Sequence, residues 1–235
     1  MLQSEPWLQR GGRKWPDLRR NAIAEMGNAV RALPCELSRE EVDRFASSTL
    51  FNGREVRALW YHFKAVSNRA DTITRAQFQT AVLFKDTALL DRIFRVFDAD
   101  DDDKISFAEY MSCVSTMSSK ASQDDKLRLA FHIYDFDGDG RISVDDLTSA
   151  LAGTLREHNI VIARPDIDAI VASTMREANV ADAATGMMSF AEFKALVSKR
   201  PQMLDCLNIN ISKIIDDYSK TDGVSFATPR LGYAT

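Results

Sequence analysis

Residues 98–109 read DADDDDKISFAE, and residues 135–146 read DFDGDGRISVDD. Both segments place aspartate at positions 1, 3 and 5, isoleucine at position 8, serine at position 9 and a carboxylate at position 12. Each follows an apolar, aromatic-bearing stretch with helical spacing. Because a random acidic surface would not keep this order twice, the two segments indicate an internal repeat of loops built for one kind of ligand.

The oxygen-bearing residues of the two loops match the needs of a calcium ion. Calcium takes about six to eight oxygen ligands, and a helix–loop–helix hand supplies them from loop positions 1, 3, 5, 7, 9 and 12, with a backbone carbonyl at position 7. The predicted ligands of the first loop are Asp98, Asp100, Asp102, Lys104, Ser106 and Glu109. Those of the second loop are Asp135, Asp137, Asp139, Arg141, Ser143 and Asp146. We therefore predict two calcium sites, with Lys104 and Arg141 acting through their carbonyls.

The two loops differ at positions 6 and 12. In the first loop, Glu109 can chelate calcium through both carboxylate oxygens, but Asp103 occupies a left-handed position that usually holds glycine. In the second loop, Gly140 suits that position, whereas the shorter Asp146 favours single-oxygen coordination and an octahedral shell that magnesium accepts. We expect a calcium-selective first site and a second site, at residues 135–146, that is partly filled by Mg²⁺ at rest.

A third copy of the repeat precedes the first loop but lacks its ligands. If Ile73 takes position 8, then Val66 falls at position 1 and Gln77 at position 12, and neither supplies the charged oxygens that calcium requires. Paired hands share a short two-stranded contact through position 8, so Ile73 is the expected partner of Ile105. This pattern predicts a metal-free structural hand.

A fourth copy keeps only the end of the pattern. Positions 6, 8, 9 and 12 are held by Gly186, Met188, Ser189 and Glu192. A twelve-residue register places Ala181, Ala183 and Thr185 at positions 1, 3 and 5, and a loop two residues longer would begin at Asn179 and use Asp182. In either register most carboxylates are lost, so we expect no calcium binding here at micromolar concentrations.

Four such hands predict an all-α fold with two lobes, each a pair of hands whose loops make short two-residue β contacts. Ser38 followed by Glu41 also predicts a capping box at the first helix. The predicted parts are a basic N-terminal extension at 1–33, an N-terminal lobe at 34–116, a linker at 117–125, a C-terminal lobe at 126–200, and an apolar segment with a flexible tail at 201–235. The linker is assigned from its Ser, Lys and Asp content.

The net charge of −4 is unevenly distributed. Five Asp and one Glu against one Lys give the first loop −5, five Asp against one Arg give the second −4, and the remaining residues therefore sum to +5. Two divalent ions would offset four of these nine net negative charges, so we assign the acidity to the metal sites. It does not indicate nucleic acid or a basic partner.

Several features predict a soluble, cytoplasmic protein. Cys35, Cys113 and Cys206 are widely separated, which favours reduced thiols over a disulfide framework. No apolar run approaches the ~20 residues of a membrane span, and the N-terminus lacks a secretory apolar core. The basic, tryptophan-bearing extension favours disorder, with weak adhesion to anionic lipid as the functional alternative. If translation began at Met26, Gly27 would be open to acylation, whereas in this chain it is internal.

Residues 126–140, KLRLAFHIYDFDGDG, resemble the calcineurin B-like group of EF-hand calcium sensors. The group includes calcineurin B, calcineurin-B homologous proteins, plant calcineurin B-like sensors, and calcium- and integrin-binding proteins. The resemblance covers roughly residues 34–208 and is strongest over 91–147. The chain departs from calcineurin B, which usually binds calcium in all four hands, because it keeps only two sites. The terminal Asp146 is more similar to the calcium- and integrin-binding branch. The resemblance implies a sensor that holds an amphipathic helix of its partner in an apolar groove, with calcium adjusting the groove.

The resemblance favours the regulatory B subunit of a calcineurin-type Ser/Thr phosphatase, with the phosphatase catalytic chain as partner. The alternatives are a sensor for a kinase, a membrane-protein tail, a transporter or an axonemal complex, and a simple calcium buffer. The buffer is disfavoured because two ligand-poor hands are retained. An enzyme is not predicted, since His62, His132 and His158 have no Cys or Ser neighbours at catalytic spacing.

The C-terminal segment contains an apolar stretch that does not flank any of the four loops. Its apolar residues are Leu204, Leu207, Ile209, Ile211, Ile214, Ile215 and Tyr218. One interpretation is a last helix packed into the core. The other is that residues 201–218 occupy the groove until a partner displaces them.

Overall fold

The structure, a computed structural model, describes residues 35–82, 87–157, 159–178, 186–199 and 211–219. The predictions for the N-terminal extension, the front of the fourth loop, Cys206, His158 and the ends of the C-terminal segment lie outside the described residues. Within the described ranges, neither Cys35 nor Cys113 takes part in a disulfide. No described helix is both long enough and apolar enough to cross a bilayer.

The described ranges contain ten helices and two short strands. The helices are α1 (Arg39–Ser48), α2 (Gly53–Val66), α3 (Arg75–Val82), α4 (Thr87–Phe97), α5 (Phe107–Met117), α6 (Gln123–Tyr134), α7 (Val144–Glu157), α8 (Arg164–Glu177), α9 (Phe190–Lys199) and α10 (Ile211–Ser219). The strands are β1 (Thr72–Thr74) and β2 (Lys104–Ser106). The consecutive pairs α2/α3, α4/α5, α6/α7 and α8/α9 form the four hands, so the predicted all-α fold is confirmed.

The first two helices begin at reciprocal caps. The amide of Glu41 donates to the hydroxyl of Ser38 at 3.2 Å, and the amide of Ser38 donates to the carboxylate of Glu41 at 2.8 Å, which confirms the predicted capping box. The same arrangement joins Asn52 and Glu55 at the start of α2. Asn52 is therefore the N-cap of α2.

The loops are joined in pairs at position 8. Ile73 lies opposite Ile105 in the antiparallel β1–β2 pair, which confirms the predicted partnership. Each of these strands is three residues long, one more than expected. Ile142 and Met188 form a single bridge with backbone distances of 2.9 and 2.7 Å, so the second pair of loops has a shorter contact than expected. All four side chains are buried.

The connection between the second and third hands is shorter than the predicted linker at 117–125. Helix α5 ends at Met117 and α6 begins at Gln123, which leaves residues 118–122 between them. The hydroxyl of Ser122 accepts from the amide of Asp125 at 3.1 Å, and acidic residues fill the first turn of α6. Because an N-cap and first-turn carboxylates stabilise a helix start, the helix begins inside the segment assigned to the linker.

The last described helix, α10, packs against α2 of the first hand. Ile214 and Tyr218 are buried, whereas Asp216 and Asp217 face solvent. The ring of Tyr218 meets the ring of His62 edge to face, with centroids 5.5 Å apart. Residues 211–219 therefore form a helix packed against α2, an arrangement that both interpretations of the segment allow.

Candidate metal centres

The first loop brings together its three leading aspartates. Asp98, Asp100 and Asp102 each offer a carboxylate oxygen, and these oxygens lie within 4.8 Å of one another. Asp98 is only 4% exposed. Its two oxygens accept from the amides of Asp102 at 3.1 Å and Asp103 at 2.9 Å. The loop backbone thus holds the first carboxylate toward the centre of the turn.

The second loop repeats this geometry. Asp135, Asp137 and Asp139 form an equivalent cluster within 4.8 Å. Asp135 is 2% exposed, and its oxygens accept from the amides of Gly138 at 2.8 Å and Gly140 at 3.1 Å. The repeated pattern of the sequence is therefore a repeated structure, with one buried and two exposed carboxylates in each loop.

Glu109, at position 12 of the first loop, connects the two ends of the loop. One carboxylate oxygen accepts from the amide and hydroxyl of Ser106 at 2.8 and 2.7 Å. The other accepts from the amide of Ala99 at 2.8 Å. Since Glu109 lies in the first turn of α5, its carboxylate links the start of the loop to that helix.

Asp146 makes the equivalent connection in the second loop despite its shorter side chain. One oxygen accepts from the amide and hydroxyl of Ser143 at 2.8 and 2.7 Å, and the other accepts from the amide of Phe136 at 3.0 Å. The hydrogen bonds alone therefore do not distinguish Asp from Glu at position 12. The predicted difference concerns how many oxygens each residue gives to an ion.

The pKa values of two carboxyl groups reflect opposing effects. Burial raises the pKa of Asp98, as does the negative charge of Glu109, while hydrogen bonds from the loop backbone oppose the rise. Burial also raises the pKa of Glu109, but the hydrogen bonds from Ser106 and Ala99 outweigh it and leave that pKa below its ordinary value. Crowded carboxylates gain from a nearby cation, so the site favours a positively charged ligand.

The donor set of both loops fits a hard divalent cation. All clustered side chains offer carboxylate oxygens, and the described residues add no thiol or imidazole to either cluster. Lys104 and Arg141 have exposed side chains, which leaves their predicted role to their carbonyls. The arrangement is that of a calcium-binding loop.

The left-handed backbone conformation predicted at position 6 is present in both loops. Asp103 has φ +62° and Gly140 has φ +85°. Both residues donate their amides to the position-1 carboxylate, at 2.9 Å in the first loop and 3.1 Å in the second. Because a side chain makes the left-handed region costly, only the first loop stores strain at this position.

The loop of the first hand is closed by protein groups. The side-chain Nε2 of Gln77 donates to the backbone carbonyl of Ser67 at 2.8 Å. The ammonium of Lys64 donates to the carboxylate of Asp71 at 2.8 Å and to the carbonyl of Ala70 at 3.3 Å, and its side chain is 9% exposed. Lys64 was not singled out from the sequence because it precedes the loop. The ammonium also lies 5.7 Å from the centroid of the Trp60 ring, so a nearly buried cation is held at the loop of the first hand.

The described end of the fourth hand keeps the exit-helix cap. Glu192 accepts from the amide and hydroxyl of Ser189 at 2.8 and 2.7 Å, as in the two acidic loops. Gly186 has φ +59°, which matches the sharp turn predicted at position 6. The position 9 to position 12 contact therefore serves the helix start whether or not the loop carries carboxylates.

Four helix–loop–helix hands with loops paired at position 8 define an EF-hand protein. Family models described as an EF-hand domain pair match residues 70–116 and 124–198. The calcineurin B subunit of Schizosaccharomyces pombe is 32% identical over 157 residues, which cover 65% of this chain and 85% of the relative.

More distant relatives cover more of the chain. The type 1 calcineurin B subunit of Dictyostelium discoideum is 26% identical over 178 residues, 75% of this chain and 96% of the relative. Calcineurin B-like protein 5 of Arabidopsis thaliana is 27% identical over 183 residues, 75% of this chain and 89% of the relative. The chain belongs to the calcineurin B-like family of EF-hand proteins, which are regulatory calcium sensors and not enzymes.

Proposed function

We propose that this protein is a two-site calcium sensor that binds an amphipathic helix of the catalytic chain of a calcineurin-type Ser/Thr phosphatase. The observation that carries the proposal is the pair of matching aspartate clusters, each tied to its exit helix by a position-12 carboxylate. The similarity to proteins named as calcineurin B subunits favours the phosphatase over a kinase, a membrane-protein tail or an axonemal complex. We place the protein in the cytoplasm.

The proposed response begins at the carboxylates of position 12. Glu109 and Asp146 accept hydrogen bonds from the second residue of their own loops, at 2.8 and 3.0 Å. Both residues lie in the first turn of an exit helix, α5 or α7. When either carboxylate turns from the backbone amide to an ion, its helix moves with it, and sensors of this class expose an apolar surface in that way.

We propose different ion preferences for the two loops. The first prefers calcium because Glu109 can offer two oxygens, and the second also accepts magnesium because Asp146 is shorter by one methylene. At a resting calcium level, magnesium would then occupy residues 135–146. The first loop would carry the calcium signal.

The packing of the C-terminal helix α10 supports the proposal that the partner-binding surface is covered. Ile214 and Tyr218 of α10 are buried against α2, which supplies the underlying ring of His62. A nine-residue helix is marginal by itself, so α10 depends on this packing. We propose that residues 201–218 cover the apolar groove and that the partner helix displaces them.

Affinity capture from cell extract, with and without calcium, tests the partner. The full chain should retain a phosphatase catalytic chain to an extent that depends on calcium. A Glu109→Gln, Asp146→Asn double variant should retain the same amount of that chain with and without calcium. Recovery of a kinase or of a membrane-protein tail would overturn the proposed phosphatase partner but not the proposed role as a calcium sensor.

Calcium titration of a hydrophobic dye in the presence of the protein separates a sensor from a buffer. A sensor exposes apolar surface as its loops fill, so dye fluorescence should rise, whereas a buffer barely opens. Calcium binding without a rise in fluorescence would overturn the sensor proposal.

A further inference from the structure

Arg92 connects the helix that enters the first loop to the start of the second. Its Nε donates to the backbone carbonyl of His132 at 2.7 Å, and its Nη2 donates to the same carbonyl. Arg92 lies in α4, six residues before Asp98, whereas His132 lies in the last turn of α6, three residues before Asp135. One side chain thus spans two hands.

The acceptor is a carbonyl that the helix itself leaves without its usual partner. In a continuing helix, the carbonyl of His132 would accept from the amide of Phe136. That amide instead donates to the carboxylate of Asp146 at 3.0 Å. A guanidinium at a helix C-terminus satisfies the carbonyl and complements the negative end of the helix dipole. Arg92 therefore caps α6 at the point where the second loop begins.

The guanidinium also lies beside the loop. A methyl group built onto Gly138, at position 4, would lie 3.7 Å from Nη1 of Arg92. The carboxylates of Asp135, Asp137 and Asp146 are close enough to raise the pKa of Arg92, against the larger lowering effect of burial. Arginine keeps its charge in proteins, so a fixed positive charge lies beside Gly138 and within electrostatic range of three predicted ligands.

Arg92 also faces the first loop through a shared cavity. A cavity of about 780 Å³ is lined by Arg92, His132 and Glu109, the position-12 residue of the first loop. Helix α4 packs on both α6 and α7, which flank the second loop. The cation beside the second loop is thus carried by the helix that enters the first loop.

We propose that Arg92 is a resident cation of the second loop, which lowers that loop's affinity for a divalent ion and links it to the helix that enters the first loop. This inference rests on the proposed calcium binding at residues 135–146. The guanidinium and the ion repel each other while both favour the same carboxylates. By linkage, an ion in the second loop weakens the cap that Arg92 places on α6.

The test is isothermal titration of the full chain with calcium in a Glu109→Gln background, so that the second loop supplies the signal. Arg92→Gln removes the charge and keeps an amide donor for the carbonyl of His132. It should raise calcium affinity about five-fold at low salt, and the gain should shrink at high salt because screening weakens the repulsion. Arg95→Gln, the same charge change on an exposed residue one turn away, is the matched control and should change affinity less than two-fold.

Arg92→Lys keeps the charge without the planar pair of donors, and it should leave affinity close to that of the parent. An Arg92→Gln affinity equal to the parent's or to that of Arg95→Gln would overturn the inference alone. A parent protein that binds no calcium would overturn the proposed second site together with this inference. Far-UV circular dichroism on each variant confirms that the compared chains are folded.

Discussion

The Nδ1 atom of His62 lies 2.7 Å from the hydroxyl oxygen of Tyr110, and this hydrogen bond joins α2 to α5 inside the core. The two rings stack with centroids 5.9 Å apart, and Tyr218 of α10 meets His62 edge to face. The Nε2 atom of His62 is buried without a hydrogen-bond partner among the described residues. Burial therefore lowers the pKa of His62 from 6.5 to about 4.

We predict that the fold loses stability as the pH falls below 6.5. The unfolded chain takes up a proton on His62 near pH 6.5, whereas the folded chain resists it until about pH 4. The contribution of neutral His62 is complete above pH 6.5 and is lost progressively toward pH 4, with a loss of about 2 kcal/mol at pH 5. Urea unfolding at pH 7 and pH 5 measures the difference.

A His62→Gln variant keeps a polar group at this position but cannot titrate. Its free energy of unfolding should fall less between pH 7 and pH 5 than that of the parent chain. His132→Gln, which changes an exposed histidine, is the control and should keep the parent's dependence. Equal pH dependence in the parent and His62→Gln would show that His62 is not the titrating group.

The burial of Ile214 in α10 gives a second prediction. Ile214→Ser removes apolar contact with the core, so α10 should detach more often and expose the surface of α2 that it covers. Binding of a hydrophobic dye should rise in this variant. Asp216→Ser, an exposed change on the same helix, should leave dye binding unchanged. A chain truncated after Arg200 should match or exceed the rise, and no rise in either would contradict a covered apolar surface.

The structural predictions that the structure confirms rest on short-range patterns in the sequence. The Ser38–Glu41 box and the pairing of Ile73 with Ile105 follow from spacing within a helix start and within a repeat of fixed length. The cap by Arg92 and the packing of α10 on α2 join residues far apart in the chain. No local period encodes such contacts, and they become visible only when the helices are placed relative to one another.

Lys64 gives a third prediction, for the first hand. Lys64→Met keeps most of the apolar stem but removes the donors to Ala70 and Asp71. The free energy of unfolding should fall by about 1 kcal/mol, since the pair with Asp71 is solvent-exposed on one side and the carbonyl of Ala70 loses a donor. Thermal or urea unfolding measures the loss. Arg39→Met, which changes a 92% exposed side chain, is the control and should lower the free energy of unfolding by only a few tenths of the loss expected for Lys64→Met. An equal loss in both variants would show that Lys64 does not close the loop.

Asp146 gives a fourth prediction, for ion selectivity. Asp146→Glu adds one methylene and allows both carboxylate oxygens to reach an ion, which suits the larger shell of calcium. The ratio of calcium to magnesium affinity at the second loop should rise by about three- to ten-fold. Titration with each ion in a Glu109→Gln background measures it. Asp145→Glu adds the same methylene at an exposed neighbour and should not alter the ratio, and a ratio unchanged by Asp146→Glu would refute the magnesium-tolerant site.

Position 6 offers a matched pair of exchanges between the two loops. Asp103 has φ +62° and Gly140 has φ +85°, and the space around a methyl group built onto Gly140 is open to 4 Å. The cost of a side chain there is therefore backbone strain, of the order of 1 kcal/mol.

Relief of that strain should favour the first loop. Asp103→Gly should raise first-loop calcium affinity by up to about five-fold relative to Asp103→Asn, which removes the same charge but keeps the side chain. Gly140→Asn should lower second-loop affinity by a similar factor. The amides at both positions still donate to the position-1 carboxylate, so the comparison isolates the backbone conformation. Equal affinities for Asp103→Gly and Asp103→Asn would mean that the left-handed aspartate does not limit the first site.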